Sequence, residues 1–96
     1  MKADMIITFK HKGLEAFYLK GISKGLQQSH TKRLKGILQF LDAAVIISDM
    51  DIPGLRLHQL EPKVDNRWSL RLDGNYRVVF RFEAGSAYEI DVVDYH

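Results

Sequence analysis

The 96-residue sequence contains no cysteine, which excludes disulfide bonds and thiolate metal sites. It also lacks any run approaching the roughly 20 apolar residues of a membrane-spanning helix, so no membrane partner is expected. The first residues lack the apolar core of a signal peptide, because Lys10 and Lys12 interrupt them. No internal repeat or low-complexity stretch is present. The length of 96 residues predicts one domain over residues 1–96. The lack of cysteine is compatible with the reduced cytoplasm, which is the expected location.

The net charge of +2 combines two unlike halves. Residues 1–40 hold eight Lys or Arg against two acids, and residues 41–96 hold six against ten. Lysine dominates the basic residues of the first half and arginine those of the second, and the planar arginine fork is the better match for phosphate. The lysine-rich half is either a solvated surface or a docking surface for a polyanion, and composition leaves both open.

Apolar spacing predicts the order β-α-α-β-β-β. We expect an α+β domain with two N-terminal helices packed on one face of a mainly antiparallel sheet. Ser29 is the predicted N-cap of the second helix. His11 and His30 lie in basic stretches and are predicted to be exposed and without chemistry. The predicted strands cover residues 5–9, 67–72, 76–83 and 88–95, and the predicted helices 13–20 and 30–44, with a core stripe of Leu34, Ile37, Leu38, Leu41 and Val45.

Alternation of side chains along the strands predicts the sheet register. The apolar sets of the last three strands must all face the helices, and three-residue loops at 73–75 and 84–86 satisfy this requirement. The predicted opposed pairs are Leu72 with Tyr76, Leu70 with Val78 and Phe80 with Ile90. The last strand is predicted to turn Tyr88, Ile90 and Val92 toward the helices.

The opposite face of the sheet then carries two charged pairs. Arg81 falls opposite Glu89 as an ion pair, and Arg71 falls opposite Arg77. Directly opposed like charges cost about 0.2–1 kcal/mol. Either each arginine turns to an acid such as Asp73 or Asp91, or the pair forms an anion site on the open face.

The same register places Val93 beside Arg77, so the closing residues Asp94, Tyr95 and His96 are predicted to end next to the arginine pair. A metal triad of His58, Asp94 and His96 is conceivable, but the arginines would repel a cation and no zinc-type spacing is present. The remaining interpretation is metal-free attack of an RNA 2′-OH on its own phosphate. Two protonatable groups such as His58 and His96 can transfer the protons, and Arg71 and Arg77 can neutralise the charge that builds on phosphorus. Tyr95 can stack on a base or hold the scissile phosphate.

The sequence resembles the HigB ("proteic killer") toxins of the RelE/ParE superfamily. The resemblance rests on the run Trp68-Ser69-Leu70-Arg71-Leu72-Asp73-Gly74-Asn75-Tyr76-Arg77-Val78-Val79-Phe80-Arg81-Phe82, on the closing Val93-Asp94-Tyr95-His96, and on Leu41-Asp42-Ala43-Ala44 and Leu57-His58-Gln59-Leu60. It implies a metal-independent endoribonuclease without cofactors. The implied catalytic residues are His58, Arg71, Arg77, Asp94, Tyr95 and His96, and the expected RNA contacts are Lys63, Arg67 and Trp68. Family members often carry a lysine where this chain has Glu61, and Lys63 can replace it from a shifted position.

The resemblance also implies the partners. Such toxins cleave mRNA in the ribosomal A site of the 30S subunit and are neutralised by HigA, a helix-turn-helix antitoxin. DNA is then expected to be contacted only through the antitoxin complex. Two alternatives stay open: a ParE-like relative that inhibits DNA gyrase by binding it, and a non-catalytic RNA- or ribosome-binding module that uses the lysine-rich half.

Overall fold

Two helices precede a four-stranded antiparallel sheet in the protein, a computed structural model that describes residues 6–94. The sheet order follows the chain order, β1-β2-β3-β4, and this arrangement confirms the predicted α+β class. The helices are α1 (Lys12–Lys20) and α2 (Gln28–Ala43), and the strands are β1 (His58–Gln59), β2 (Arg67–Arg71), β3 (Tyr76–Glu83) and β4 (Ser86–Asp94).

Helix α2 supplies the buried stripe, although both of its ends differ from the prediction. Its N-cap is Gln27, so the predicted Ser29 cap is wrong. Its last residue is Ala43, and the main-chain N–H groups of Val45 and Ile46 donate to the Asp49 carboxylate at 2.8 and 3.1 Å. This turn carries Val45 out of the stripe and leaves it 61% exposed. The other four predicted residues are buried in the core: Leu34, Ile37, Leu38 and Leu41.

The segment before α1 lies alongside β4 without forming a regular strand. Isolated parallel bridges join Ile6 to Ala87 and Phe9 to Ile90. The Ile7 N–H donates to the Ala87 carbonyl at 2.8 Å. The predicted first strand is therefore reduced to these bridges over residues 6–9, and residue 5 lies outside the described residues. His11 then caps α1, because its Nδ1 accepts from the Leu14 N–H at 3.0 Å.

The β2–β3 hairpin has the predicted register. Leu70 lies opposite Val78 and Arg71 opposite Arg77. The Leu72 N–H donates to the Tyr76 carbonyl at 3.0 Å, which closes the three-residue turn. Three apolar side chains of this hairpin are fully buried under the helices: Leu70, Val78 and Phe80.

The β3–β4 hairpin is tighter than predicted. Its turn has two residues, Ala84 and Gly85, with φ of 50° and 79°, and Glu83 pairs with Ser86. Such a turn alone would put Ile90 on the open face, because it shifts the register by one residue. An extra residue in β4 corrects this: Glu89 has φ of 55°, and beyond the bulge Val79 pairs with Asp91 as the predicted register requires.

The two-residue turn changes the facing of the side chains between it and the bulge. Tyr88 pairs with Arg81 and so shares its face, whereas the sequence prediction turned Tyr88 toward the helices. Ala87 is buried in its place. Phe80 lies opposite the bulge, so the expected regular pair with Ile90 is absent from the described strands. Within residues 6–94, neither helix has the length and apolarity needed to cross a membrane.

The turn geometry predicts that Ala84→Gly stabilises the protein. Alanine at a positive φ is strained, so we expect the free energy of unfolding to rise by about 1 kcal/mol. The matched control is Ala16→Gly in the middle of α1, where glycine should lower it by about 1 kcal/mol. Urea unfolding measures both variants, and a shift of the same sign in the two would contradict the assigned turn.

Candidate active site

The face of the sheet that points away from the helices is rich in arginine. Arg71 lies opposite Arg77, as predicted, and the same register brings Arg67 opposite Arg81. This second pair was not predicted, although the predicted register already implied it. Two opposed pairs of like charge therefore lie on the same face of β2 and β3, separated by the pair of Ser69 and Val79.

Arg81 is neutralised by its neighbours. Its Nε donates to the Glu89 carboxylate at 3.2 Å, it also forms an ion pair with Glu83, and its guanidinium lies 4.3 Å from the Tyr88 ring centroid. The hydrogen bond to Glu89 is the main cause that raises the pKa of Arg81 above its usual range. The predicted ion pair with Glu89 is confirmed, although the two-residue turn places Tyr88 directly opposite Arg81.

Arg56, Arg67 and Arg71 are not neutralised in this way. Among the residues that the structure describes, no carboxylate forms an ion pair with any of these three. Such a concentration of positive charge favours an anionic ligand. The surface made by Arg56, Arg67, Arg71 and Arg77 is called the arginine face below.

A cavity of about 440 Å³ opens within the arginine face. His58 lies at one side of it, on the edge strand β1 and opposite Ser69, with its side chain exposed. Part of the cavity wall is apolar. It consists of Val79, which lies opposite Ser69, and Val93, which lies opposite Arg77. The full lining is Arg56, His58, Leu60, Arg67, Ser69, Arg77, Val79 and Val93.

Arg56 is a lining residue that was not predicted from the sequence. Its φ of 49° is left-handed, so the chain is not extended at this position and strand alternation from His58 does not apply to it. The Arg71 N–H donates to the Leu55 carbonyl at 2.6 Å, which holds this segment beside β2 one residue out of the regular pairing. The place of Arg56 in the lining therefore follows from this irregularity, for which the sequence pattern gives no signal.

Both opposed arginines turn toward Asp73, as one of the two predicted alternatives required, but they bind its main chain. Nε of Arg71 and Nη1 of Arg77 donate to the Asp73 carbonyl oxygen at 3.4 and 3.1 Å. A shared carbonyl does not neutralise a guanidinium as a carboxylate does. Both guanidinium groups are thus held by one main-chain oxygen, on the face of the sheet where the other predicted alternative places an anion site.

The Asp73 carboxylate is directed instead at helix α2. Oδ2 lies 2.6 Å from Nε2 of His30, and Oδ1 accepts from the N–H groups of Asn75 and Tyr76 at 2.8 and 2.9 Å. The hydrogen bond from His30 is the main cause that lowers the pKa of Asp73 below its usual range. His30 is only 4% exposed, so the prediction of an exposed histidine is wrong. Its spacing from Leu34 fits the buried stripe, and this signal was available in the sequence.

Three other predicted site residues, Asp94, Lys63 and Trp68, do not line the cavity. Asp94 is exposed and pairs with Tyr76, one residue past the lining residue Val93 and on the opposite face of the sheet. Tyr95 and His96 lie outside the described residues. Lys63 is exposed on a short 3-10 helix, Lys63–Asp65, and does not line the cavity. Trp68 lies on the helix-facing side of β2 and packs against the core, so the structure does not bring it to the site.

The structure thus brings His58, Arg67 and Arg77 around one cavity, with Arg71 directly beside Arg77. Within residues 6–94, no three side chains of the histidine or acidic type converge as a metal site would require. The alternative triad of His58, Asp94 and His96 includes a residue outside that range. An imidazole among guanidinium groups is suited to proton transfer at a bound phosphate.

Comparison with known proteins assigns the family. The profile described as "RelE-like toxin of type II toxin-antitoxin system HigB" matches residues 7–96. The chain belongs to this HigB family. It is 35% identical over 92 residues to "Endoribonuclease HigB" of Proteus vulgaris, and the aligned region covers 96% of this chain and 100% of that relative. It is 36% identical over 85 residues to "Toxin HigB-1" of Vibrio cholerae serotype O1, and the aligned region covers 86% of this chain and 90% of that relative.

Membership of the HigB family makes the chain a toxin of a type II toxin–antitoxin system, which implies an antitoxin as partner. The recognition made from the sequence is confirmed. The family match includes the whole arginine face and the segment that carries His58.

The contacts of Asp73 and Arg71 predict opposite effects on stability. Arg71→Ala removes one of two opposed like charges, so we expect the free energy of unfolding to stay unchanged or to rise by about 0.2–1 kcal/mol. Asp73→Ala leaves buried His30 and two turn N–H groups without their acceptor, and should lower the melting temperature by several degrees. Thermal and urea unfolding compare the two variants. A loss in Arg71→Ala as large as that in Asp73→Ala would show that Arg71 is structural.

Proposed function

We propose that this toxin is a metal-independent endoribonuclease that cleaves mRNA in the ribosomal A site. The observation that carries the proposal is the convergence of His58, Arg67 and Arg77 on one open cavity. A relative that matches nearly the whole chain is named an endoribonuclease, which supports the same reaction class.

The proposed reaction is attack of an RNA 2′-OH on the adjacent phosphodiester. One group removes the 2′-OH proton, the 2′-oxygen bonds to phosphorus, and the bond from phosphorus to the 5′-oxygen breaks. A second group protonates the leaving 5′-oxygen, and the products are a 2′,3′-cyclic phosphate and a 5′-OH. General acids and bases each contribute about 10²–10⁴-fold to such reactions.

We assign one proton transfer to His58, because its exposed imidazole stands at the cavity. Arg71 and Arg77 are assigned to the negative charge that develops on the phosphate oxygens, since guanidinium groups on rigid strands are already oriented for it. On the other side of the phosphate, we assign His96 as the second proton carrier, Asp94 as an orienting group and Tyr95 as a base-stacking ring. The position of Val93 in the cavity wall supports this assignment, because the closing residues follow it directly.

The path of the RNA follows from the charges around the cavity. Arg67 lies along β2 from the arginine pair, and Lys63 precedes β2 on an exposed turn. We propose that these two contact neighbouring phosphates of the mRNA strand. The lysine-rich residues 1–40 are then available for the ribosome, whose surface is a polyanion. Trp68 is omitted from this path because it packs against the core.

The proposed protein partner is a HigA-like helix-turn-helix antitoxin. A toxin that blocks translation requires a neutralising partner, and the family is that of type II systems, in which this partner is a protein. Contact with operator DNA is assigned to the antitoxin within the complex.

The chemistry predicts that a single 2′-deoxy nucleotide at the cleaved position abolishes cutting. Purified toxin would be added to ribosomes programmed with mRNA, with and without the substitution, and the ends of the products would be identified. We expect cleavage of the all-ribose message only, to a 2′,3′-cyclic phosphate. Cleavage of the substituted message would indicate water or hydroxide as the nucleophile. Arrested translation with intact mRNA would favour the binding module, and gyrase inhibition the ParE-like alternative.

The assignment of His58 predicts that His58→Ala lowers the rate of cleavage by about 10²–10⁴-fold. Gln59→Ala is a matched control, because Gln59 is the other residue of β1 and pairs with Trp68 on the opposite side of the sheet. We expect the control to keep wild-type activity and both variants to keep the wild-type melting temperature within a few degrees. Full activity in His58→Ala would remove this residue from the mechanism.

A further inference from the structure

Asp73 is the point at which helix α2, the β2–β3 turn and the arginine pair meet. Its carboxylate accepts from the N–H groups of Asn75 and Tyr76, and its own N–H donates to the Tyr76 carbonyl at 3.2 Å. Its carbonyl oxygen accepts from Arg71 and Arg77. All the hydrogen-bonding groups of this one residue are therefore engaged, and its carbonyl cannot rotate without breaking several bonds.

His30 fixes this turn to the body of the protein. Because Asp73 is ionised at neutral pH, its Oδ2 is the acceptor, and Nε2 of His30 is assigned as the donor over 2.6 Å. The His30 ring also meets the Tyr76 ring edge-on at a centroid distance of 4.9 Å. A rigid helix thus holds the turn from which both guanidinium groups are oriented.

The choice of histidine at this buried position is not explained by stability. The neighbouring positions of the stripe are leucine or isoleucine, and a pair whose Asp73 side chain is 43% exposed stabilises little beyond what a packed apolar side chain would. A polar contact of this kind is better suited to fixing one orientation. The two arginines need such a constraint, because their mutual repulsion drives the guanidinium groups apart.

We propose that His30 is a positioning residue for the toxin's reaction: it holds Asp73 so that the Asp73 carbonyl aims Arg71 and Arg77 at the scissile phosphate. This inference rests on the function proposed above. His30 does not touch the RNA and acts only through the turn. Misplacement of a catalytic group by about 1 Å can cost about 10²-fold in rate.

The first test replaces His30 by leucine, which fills the same space without a donor. We expect kcat for cleavage of programmed mRNA to fall by about 10–100-fold while KM changes by less than about 3-fold, because RNA binding draws on the whole arginine face. His30→Gln keeps an N–H donor and should restore part of the loss. An unchanged kcat in a folded His30→Leu variant would overturn the inference.

Gln27→Ala is the matched control. Gln27 also joins α2 to the same hairpin, through a 3.0 Å hydrogen bond from its Nε2 to the Tyr76 hydroxyl, but this bond bypasses Asp73. We expect Gln27→Ala to keep wild-type kcat. A loss in Gln27→Ala equal to that in His30→Leu would mean that any weakening of the helix–hairpin contact suffices, and would overturn the specific role of His30.

A double-mutant cycle separates positioning from general stability. In the Arg71→Ala/Arg77→Ala background, the added His30→Leu change should lower the residual rate by less than about 2-fold, because the groups that it positions are gone. A general structural role predicts that the two losses multiply. Multiplication would therefore contradict the inference.

An NMR measurement tests the role of His30 even if no cleavage activity can be measured. The Nε–Hε signals of Arg71 and Arg77 in ¹⁵N-labelled toxin report whether each guanidinium is ordered. We expect ordered signals in the wild type and mobile ones in His30→Leu. Equal order in both proteins would refute the positioning role even if the wild type cleaves mRNA. A wild type that does not cleave would refute the proposed function, and the spectra would still decide this inference.

Discussion

The helices require an uninterrupted apolar surface on one side of the sheet, and this requirement determines the register of every long strand. Leu70, Val78 and Ile90 can all be buried together only if the strands pair as observed. Because side chains alternate, the residues between them are forced onto the other side. The opposed arginines are thus held together by hydrophobic burial elsewhere, which offsets a repulsion that they would otherwise relieve by shifting.

Most of the fold followed from the apolar pattern, and the errors occurred where backbone geometry mattered. The pairing of Leu70 with Val78 follows from alternation and loop length alone. The Ala84-Gly85 turn was missed because alanine rarely occupies a positive φ, and its sequence lacks the asparagine typical of such turns. This turn reversed the facing of Tyr88, and the bulge at Glu89 then restored the predicted register beyond it. Two local irregularities therefore compensated each other, and the register near Arg77 was predicted correctly.

The candidate site was predictable to a similar extent. Arg71 and Arg77 were identified from the register. His58 was singled out among the histidines, but its catalytic role came from the family resemblance, since no local pattern of that segment specifies a strand edge. His30 was missed because the basic residues around it indicated a solvated surface. Its partner Asp73 lies 43 residues away, and only tertiary contact brings the two together. Hydrogen bonds between distant elements are the part of the site that periodicity does not encode.

The segment of residues 6–9 has a consequence for how the sheet can associate and assemble. It covers the edge of β4 from Ala87 to Ile90, so this part of the edge is not open to another chain. One contact of the segment, from the Glu89 N–H to the Thr8 hydroxyl, spans 81 positions of the chain. Contacts of such long range carry a loop-closure cost that slows folding. As long as residues 6–9 are not in place, this part of the β4 edge is exposed, and an unpaired strand edge is a template for association with another chain.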